Sequence, residues 1–399
     1  MRNISRDRKV RLMEDFKTYW NSILNCPEMI KNLEFFEQLK IIKQLTKQPF
    51  ILFGCGEVCD VLIRMCMDLG VSIDFLCDSK KSGRHTSGLA IITPEMLWKE
   101  YYNAVIMISS WKFQKEIEET LLKKGFKKEQ IISYPFQHTA VLPLKDFSEQ
   151  HLAGYKWAYD FFQDKVSKNI VLGRMKTYLC GTVLQQTSNN EQYFDSEVIE
   201  LEPEEVFVDG GCLDGETTLR FDQHMKGMSY KVFAFEPDGE QITKCKENLK
   251  GLKSSIQIIS KGLWSASTIQ PFISDGGQGG SLIADLPGSV IVEVTSLDDI
   301  FSPMDESQWP TFIKLDIEGA EKEALLGAEQ IIRKKHPKLA ICVYHKPQDI
   351  YELTQLLENF NEKYHFSLQH YTDNIYETVL YAVHKDDLPN KYNKENLDA

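Results

Sequence analysis

The stretch Val206 to Pro237, VFVDGGCLDGETTLRFDQHMKGMSYKVFAFEP, constrains this chain more than any other. A short apolar run ends in Asp209 and breaks into Gly210-Gly211-Cys212-Leu213-Asp214-Gly215. A helical pattern follows, and a second apolar run ends in Glu236. This is the outline of a strand, a glycine turn, a helix and a strand. It puts a carboxylate at the end of the second strand, where it can accept hydrogen bonds from a ribose diol. The arrangement suits an adenosyl group and leaves open what else the ligand carries.

The alternation continues to the C-terminus. A helix is expected over Glu240 to Lys250 and a third strand over Ile256 to Ser260. An insertion follows, with strands Thr268 to Ser274 and Val290 to Val294 flanking the glycine-rich loop DGGQGGSLIADLPGS. Its composition is that of a mobile lid, with Gln278 and Ser281 as candidate lid residues. The fourth strand, Thr311 to Leu315, runs into Asp316-Ile317-Glu318-Gly319-Ala320-Glu321, and the fifth, Leu339 to Val343, ends in Tyr344-His345-Lys346-Pro347. A helix over Asp349 to Phe360 precedes two strands, Phe366 to Tyr371 and Glu377 to Val383, joined by the turn Thr372-Asp373-Asn374. Five strand–helix units closing in a strand pair fit a seven-stranded sheet whose last strand is antiparallel. A dehydrogenase would continue with another crossover helix. Tyr193 and Phe194 feed into the glycine-turn strand and are candidates for covering cofactor or substrate, against a plain core role.

The N-terminal part has its own pattern. Residues 1–46 read as helical, with Phe16, Tyr19, Trp20 and Ile23 at helical spacing and Pro27 as a break. Over residues 47–138 the strand Phe50 to Phe53 enters Gly54-Cys55-Gly56-Glu57-Val58-Cys59, a helix runs to Leu69, and a strand Ser72 to Leu76 ends in Cys77-Asp78. Two glycines of a GxGxxG turn are present, Cys59 replaces the third, and Asp78 lies 24 residues beyond Gly54. This predicts a smaller Rossmann-like α/β domain with Gly54, Gly56 and Asp78 as a possible second nucleotide site; a structural module with no ligand is the other reading. The stretch FLCDSKKSGRHTSGLAIITPEML is similar to the nucleotide-binding N-terminal domains of sugar acetyltransferases, which implies a nucleotide-sugar there. Residues 139–204 read as a helical linker and cover, with a helix over Ser148 to Gln163, and residues 386–399 as a polar tail.

Bulk properties narrow the partners. A formal charge of −12 argues against nucleic acid, whose binders carry a basic stripe. No run approaches the ~20 apolar residues of a membrane span, and the first residues lack the apolar core of a signal peptide. Nine cysteines without CxxC spacing read as reduced thiols in a cytoplasmic protein.

The blocks YFDSEVI, VFVDGGCLDGETT, VFAFEPD, TSLDDI, FIKLDIEGAEKEALLGA and AICVYHKPQDI…LQHYTDNIYETVLYA together resemble the FkbM family of S-adenosylmethionine-dependent methyltransferases, over residues 190–385. The resemblance implies a Rossmann-like seven-stranded methyltransferase domain over 205–385 and S-adenosylmethionine as cofactor. It also implies a hydroxyl on a sugar, glycan precursor or small metabolite as acceptor. In that frame Asp209, Gly210, Gly211 and Gly215 would hold the methionine part of the cofactor. Asp214 would accept from its ammonium or simply cap the helix, and Glu236 would take the ribose hydroxyls, with Pro237 turning the chain away. Asp316 and Glu318, two residues apart at a strand end, can face one side of the cleft and orient the acceptor. His345 is a candidate general base as a neutral imidazole, with Asp316 as its rival, His370 as a third, and a structural histidine as the alternative. No metal is expected, although Asp316 and Glu318, helped by Glu321, are the residues that would bind one; Glu321 reads first as a helix-start carboxylate. The competing function is a nucleotide-sugar-binding or NAD-dependent sugar-modifying protein that uses the Gly54 turn and carries an inactive C-terminal domain.

Overall fold

The computed structural model describes residues 16–44, 48–85, 87–110, 112–136, 141–252, 255–273, 282–283 and 289–388. Their contacts divide the chain into two units, residues 1–156 with 172–183, and residues 157–171 with 184–399. Gln278 and Ser281 lie outside the described residues.

In the first unit helices α1 (16–24) and α2 (Pro27–Gln44) meet at Pro27, as the spacing predicts. Then come β1 (Phe50–Phe53), α3 (Glu57–Asp68), β2 (Phe75–Cys77), β3 (Gly83–Arg84), β4 (Ala90–Ile92), α4 (Pro94–Glu100), β5 (Val105–Ile108), α5 (Gln114–Lys123), β6 (Ile131–Ser133) and α6 (Leu144–Gln150). The strands form one sheet in the order β3-β4-β2-β1-β5-β6, parallel except at β3. β1 and β5 are buried on both faces, as parallel strands between helices must be.

Two helices carry the chain onward: α7 (Leu152–Phe161) and α8 (Lys165–Cys180). The single helix expected over Ser148 to Gln163 is broken, with His151 closing α6. α8 is a helix the sequence pattern did not announce. Its polar residues Ser167, Arg174 and Thr177 are as buried as Val171, Met175 and Leu179, so it shows no apolar stripe.

The second unit continues with β7 (Glu205–Gly210), α9 (Glu216–Met225), β8 (Tyr230–Phe235), α10 (Gly239–Asn248), β9 (Ser255–Ile259), β10 (Gly262–Leu263), β11 (Thr268–Ile273), β12 (Leu282–Ile283), β13 (Val290–Thr295), α11 (Leu297–Phe301), β14 (Phe312–Leu315), α12 (Glu321–Leu326), α13 (Glu329–Lys335), β15 (Lys338–Cys342), α14 (Asp349–Phe360), β16 (Tyr364–His370) and β17 (Thr378–His384). Seven strands form the main sheet in the order β16-β17-β15-β14-β7-β8-β9, with β17 antiparallel to both neighbours. The insertion makes its own sheet, β10-β13-β11-β12. Because the chain leaves β7 for β8 on one side and returns as β14 on the other, the crevice at the carboxyl ends of β7 and β14 is the place where an open α/β sheet binds ligands. An aromatic cluster of Phe194, Phe207, Phe221 and Phe312 packs behind that crevice, with Phe207 and Phe221 stacked at 4.4 Å.

Candidate active site

The glycine turn is held from beneath by a buried ion pair. Parallel register sets Lys314 of β14 opposite Asp209 of β7. The lysine Nζ lies 3.0 Å from Asp209 Oδ1 and donates to the carbonyl oxygens of Gly210 (3.0 Å) and Gly211 (2.8 Å). Thr218 of α9 donates to the second Asp209 oxygen at 2.8 Å. Burial alone would lower the lysine's pKa, but Asp209 and Asp316 outweigh it, raise it and keep it charged. Thus Asp209 braces the turn with both oxygens. Lys314 was not singled out from the sequence, although a lysine inside the apolar run FIKL signals a buried charge that needs a partner.

Glycine is required at Gly211. Its φ is +72°, and a Cβ there would sit 2.0 Å from the carbonyl oxygen of Asp316. Before α9, whose N-cap is Gly215, Asp214 accepts from Glu216 N at 3.2 Å in an Asx turn that leads into the helix. Glu236 ends β8 and is nearly buried; its oxygens accept from Asp238 N (2.9 Å) and Leu213 N (3.3 Å). Burial raises its pKa. In the first turn of α10 the buried Nε2 of Gln241 has no hydrogen-bond partner. A buried carboxylate after β8, a buried donor without a partner in the first turn of α10, and a glycine-rich turn after β7 fit an adenosyl group. Glu236 would then hold the ribose and the 210–215 backbone the amino-acid end.

A second cluster gathers at the carboxyl ends of β14 and β15. Asp316 accepts from Tyr193 OH (2.8 Å) at one oxygen and from Tyr344 OH (3.0 Å) at the other. Burial pushes its carboxyl up, but Lys314, His345 and the two hydroxyls outweigh this and hold it below its usual range. Burial and the Asp316 charge keep both tyrosines protonated as donors. His345 Nε2 lies 3.5 Å from Asp316 Oδ1 and 3.4 Å from Glu318 Oε2, and Nδ1 lies 3.0 Å from Glu321 Oε1. Burial would lower the imidazole's pKa; Glu321, Asp316 and Glu318 instead raise it to about 10. The neutral ring expected from the sequence is not the form these neighbours favour. Glu318 adopts φ +55°, a conformation that costs a non-glycine residue about 1–3 kcal/mol and collects at functional sites. Glu321 is buried, accepts from Ile317 N at 2.9 Å and so belongs to this cluster as well as to the start of α12. Asp349, raised to about 7 by burial and Glu321, accepts from Lys346 N.

Other candidates fall elsewhere. Phe194 belongs to the aromatic core, whereas Tyr193 puts its hydroxyl on Asp316. His370 is fully buried between Thr378 Oγ1 (2.9 Å) and the carbonyl of Asn374 (3.1 Å), a structural position. In the first unit Asp78 accepts from the backbone N of Cys55, Lys80 and Lys81, and Lys81 Nζ donates to the Cys55 carbonyl at 2.6 Å. Pro237 follows Glu236 at the strand end, as expected. Tyr344 was missed because nothing in the sequence says which way a tyrosine at a strand end points.

Comparison with known proteins agrees with this geometry. Residues 209–368 match the methyltransferase FkbM domain. The chain is 25% identical over 169 residues, 38% of its own length and 67% of the relative's, to 2-O-methyltransferase NoeI of Sinorhizobium fredii. Among solved structures it is similar in fold to methyltransferase FkbM from Methylobacillus flagellatus KT, with a TM-score of 0.58 at 19% identity, over 94% of this chain and 99% of that one. The cofactor is S-adenosylmethionine, which supplies an electrophilic methyl group. This chain carries a methyltransferase FkbM domain.

Proposed function

We propose that the chain methylates a hydroxyl oxygen on a sugar, glycan precursor or related small metabolite. The observation that carries this reading is the cluster of Asp316, Glu318 and His345 at the carboxyl ends of β14 and β15, beside the glycine turn. The O-methyltransferase name of the Sinorhizobium relative supports oxygen as the acceptor. O-methylation is a displacement in which the acceptor loses its proton, so it needs oriented acceptors of hydrogen bonds near the attacking oxygen. Asp316, fixed by Tyr193 and Tyr344, takes the acceptor's hydroxyl proton, while Glu318 and His345 orient the molecule. Glu236 and the glycine turn hold the donor on the other side of β7.

All nine cysteines are free thiols, which supports a reducing, cytoplasmic setting. Among the described residues no helix is long and apolar enough to cross a membrane. Calorimetry with S-adenosylhomocysteine, NAD and nucleotide-sugars tests the reading, followed by methyl-transfer assays on sugar hydroxyls. S-adenosylhomocysteine binding to the wild type, with turnover lost but binding kept in Asp316→Asn, is the expected result. Absence of S-adenosylhomocysteine binding would sink it, and NAD or nucleotide-sugar binding alone would favour the Gly54 turn.

A further inference from the structure

The acidic cluster holds more ligand capacity than its hydrogen bonds use. Glu321 Oε2 is buried without a partner, while Oε1 is tied to Ile317 N. The His345 side chain is 8% exposed, and neither ring nitrogen makes an aligned hydrogen bond, although Nδ1 stands 3.0 Å from Glu321 Oε1. The two buried side chains pair through Nδ1 and Oε1, which leaves Glu321 Oε2 and His345 Nε2 buried without a hydrogen bond. Donor atoms of Asp316, Glu321 and His345 all lie within 4.8 Å of one another. Around a divalent ion with ligand bonds of about 2.1 Å, neighbouring donors stand about 3.0 Å apart in octahedral and about 3.4 Å apart in tetrahedral geometry. Through Nε2 the ring stands 3.5 Å from Asp316 Oδ1 and 3.4 Å from Glu318 Oε2, close to the tetrahedral value, while Nδ1 pairs with Glu321 Oε1.

We propose that Asp316, Glu321 and His345 bind one divalent cation, with Glu318 at the solvent side of the site. One imidazole with carboxylates suits Mn²⁺ or Zn²⁺ better than Ca²⁺, which prefers oxygen alone. The outer partners that metal ligands require are in place: Tyr193 and Tyr344 orient Asp316, and Ile317 N orients Glu321. What the cation does for methyl transfer rests on the proposed acceptor site; its binding does not.

The test uses the full chain, stripped with a chelator and titrated with MnCl₂ under electron paramagnetic resonance. Saturable binding of one Mn²⁺ per chain below about 1 mM is expected, with spin-echo modulation from a directly bound imidazole nitrogen. His345→Gln and Glu321→Gln should each weaken Mn²⁺ by at least about tenfold, with S-adenosylhomocysteine binding reporting that each variant is folded. No saturable Mn²⁺, an echo without nitrogen coupling, or folded variants that bind Mn²⁺ like the wild type would overturn the site. Should either variant fail to fold, the wild-type echo decides alone. Mn²⁺ binding by a chain that ignores S-adenosylhomocysteine would keep the cation site and remove the methyltransferase reading.

Discussion

The two units each contain a strand, a glycine turn, a helix and a second strand ending in an acid, yet the two turns are built for different ends. At Gly210-Gly211 a buried lysine from the neighbouring strand holds three oxygens of the turn, and the α-carbon of Gly211 packs on the Asp316 carbonyl. At Gly54-Cys55-Gly56 Ser109 donates to the Gly54 carbonyl and Lys81, from a loop rather than a neighbouring strand, to the Cys55 carbonyl, and a Cβ at Gly56 would meet nothing within 4 Å. The acids differ as well. Glu236 is raised by burial, whereas Asp78 is pushed up by burial but lowered overall by three backbone amides. The same local sequence grammar gives a turn braced by a buried ion pair in one place and a turn whose acid is satisfied by its own backbone in the other. Neighbouring strands, not the turn, decide which.

The largest effect that would sharpen this contrast is at Lys314. Lys314→Met leaves Asp209 as an uncompensated buried charge and should cost about 3–5 kcal/mol in denaturant unfolding; the Ser109→Ala change at the other turn, which removes one hydrogen bond, should cost only about 0.5–1.5 kcal/mol. Next comes glycine itself. Gly211→Ala should destabilise by at least about 1–3 kcal/mol through overpacking, while Gly56→Ala, with free space at the N-cap of α3, should stay within about 1 kcal/mol of the wild type, the lost cap preference offset by a less flexible unfolded chain. Equal effects at the two glycines would break the comparison.

Those predictions rest on features the sequence showed unevenly. The strand Phe50–Phe53 and the helix Asp349–Phe360 were legible to the residue, because apolar runs and periodicity are local signals. α8 was not, since a helix that buries Arg174 and Thr177 along with Val171 has no polar face to read. In the site, Asp316, Glu318 and His345 stood out as chemistry at strand ends. Lys314 was visible only as an anomaly, and the meeting of Glu321 with His345 depends on β14 and β15 lying side by side.

Ligand binding gives a smaller effect. Glu236→Gln should weaken S-adenosylhomocysteine by about 1.5–3 kcal/mol, the value of hydrogen bonds to a charged group, and Asp78→Asn should leave it unchanged; calorimetry checks both. The smallest effect is the pH dependence of stability. Asp78, with its lowered pKa, contributes stability that is present above the unfolded value of about 3.9 and is lost as pH falls through its folded pKa. Glu236, with its raised pKa, costs stability as pH rises through its unfolded and then its folded value. Unfolding curves should therefore show Glu236→Gln gaining on the wild type as pH rises above about 4.3, and Asp78→Asn losing ground on it as pH rises toward about 3.9 and holding steady above.

The Gly211–Asp316 contact has a mechanical consequence. Main chain of the glycine turn after β7 rests directly on main chain at the end of β14, with Lys314 of β14 fastened to the turn. No side-chain rotamer stands between the two strand ends at this point. The glycine turn and Asp316 therefore share a single stiff frame, and under the proposed function changes of spacing during turnover must come from the bound molecules or from segments further out. A substitution that alters the separation has to deform backbone, which explains why this junction tolerates only hydrogen at the Gly211 side-chain position.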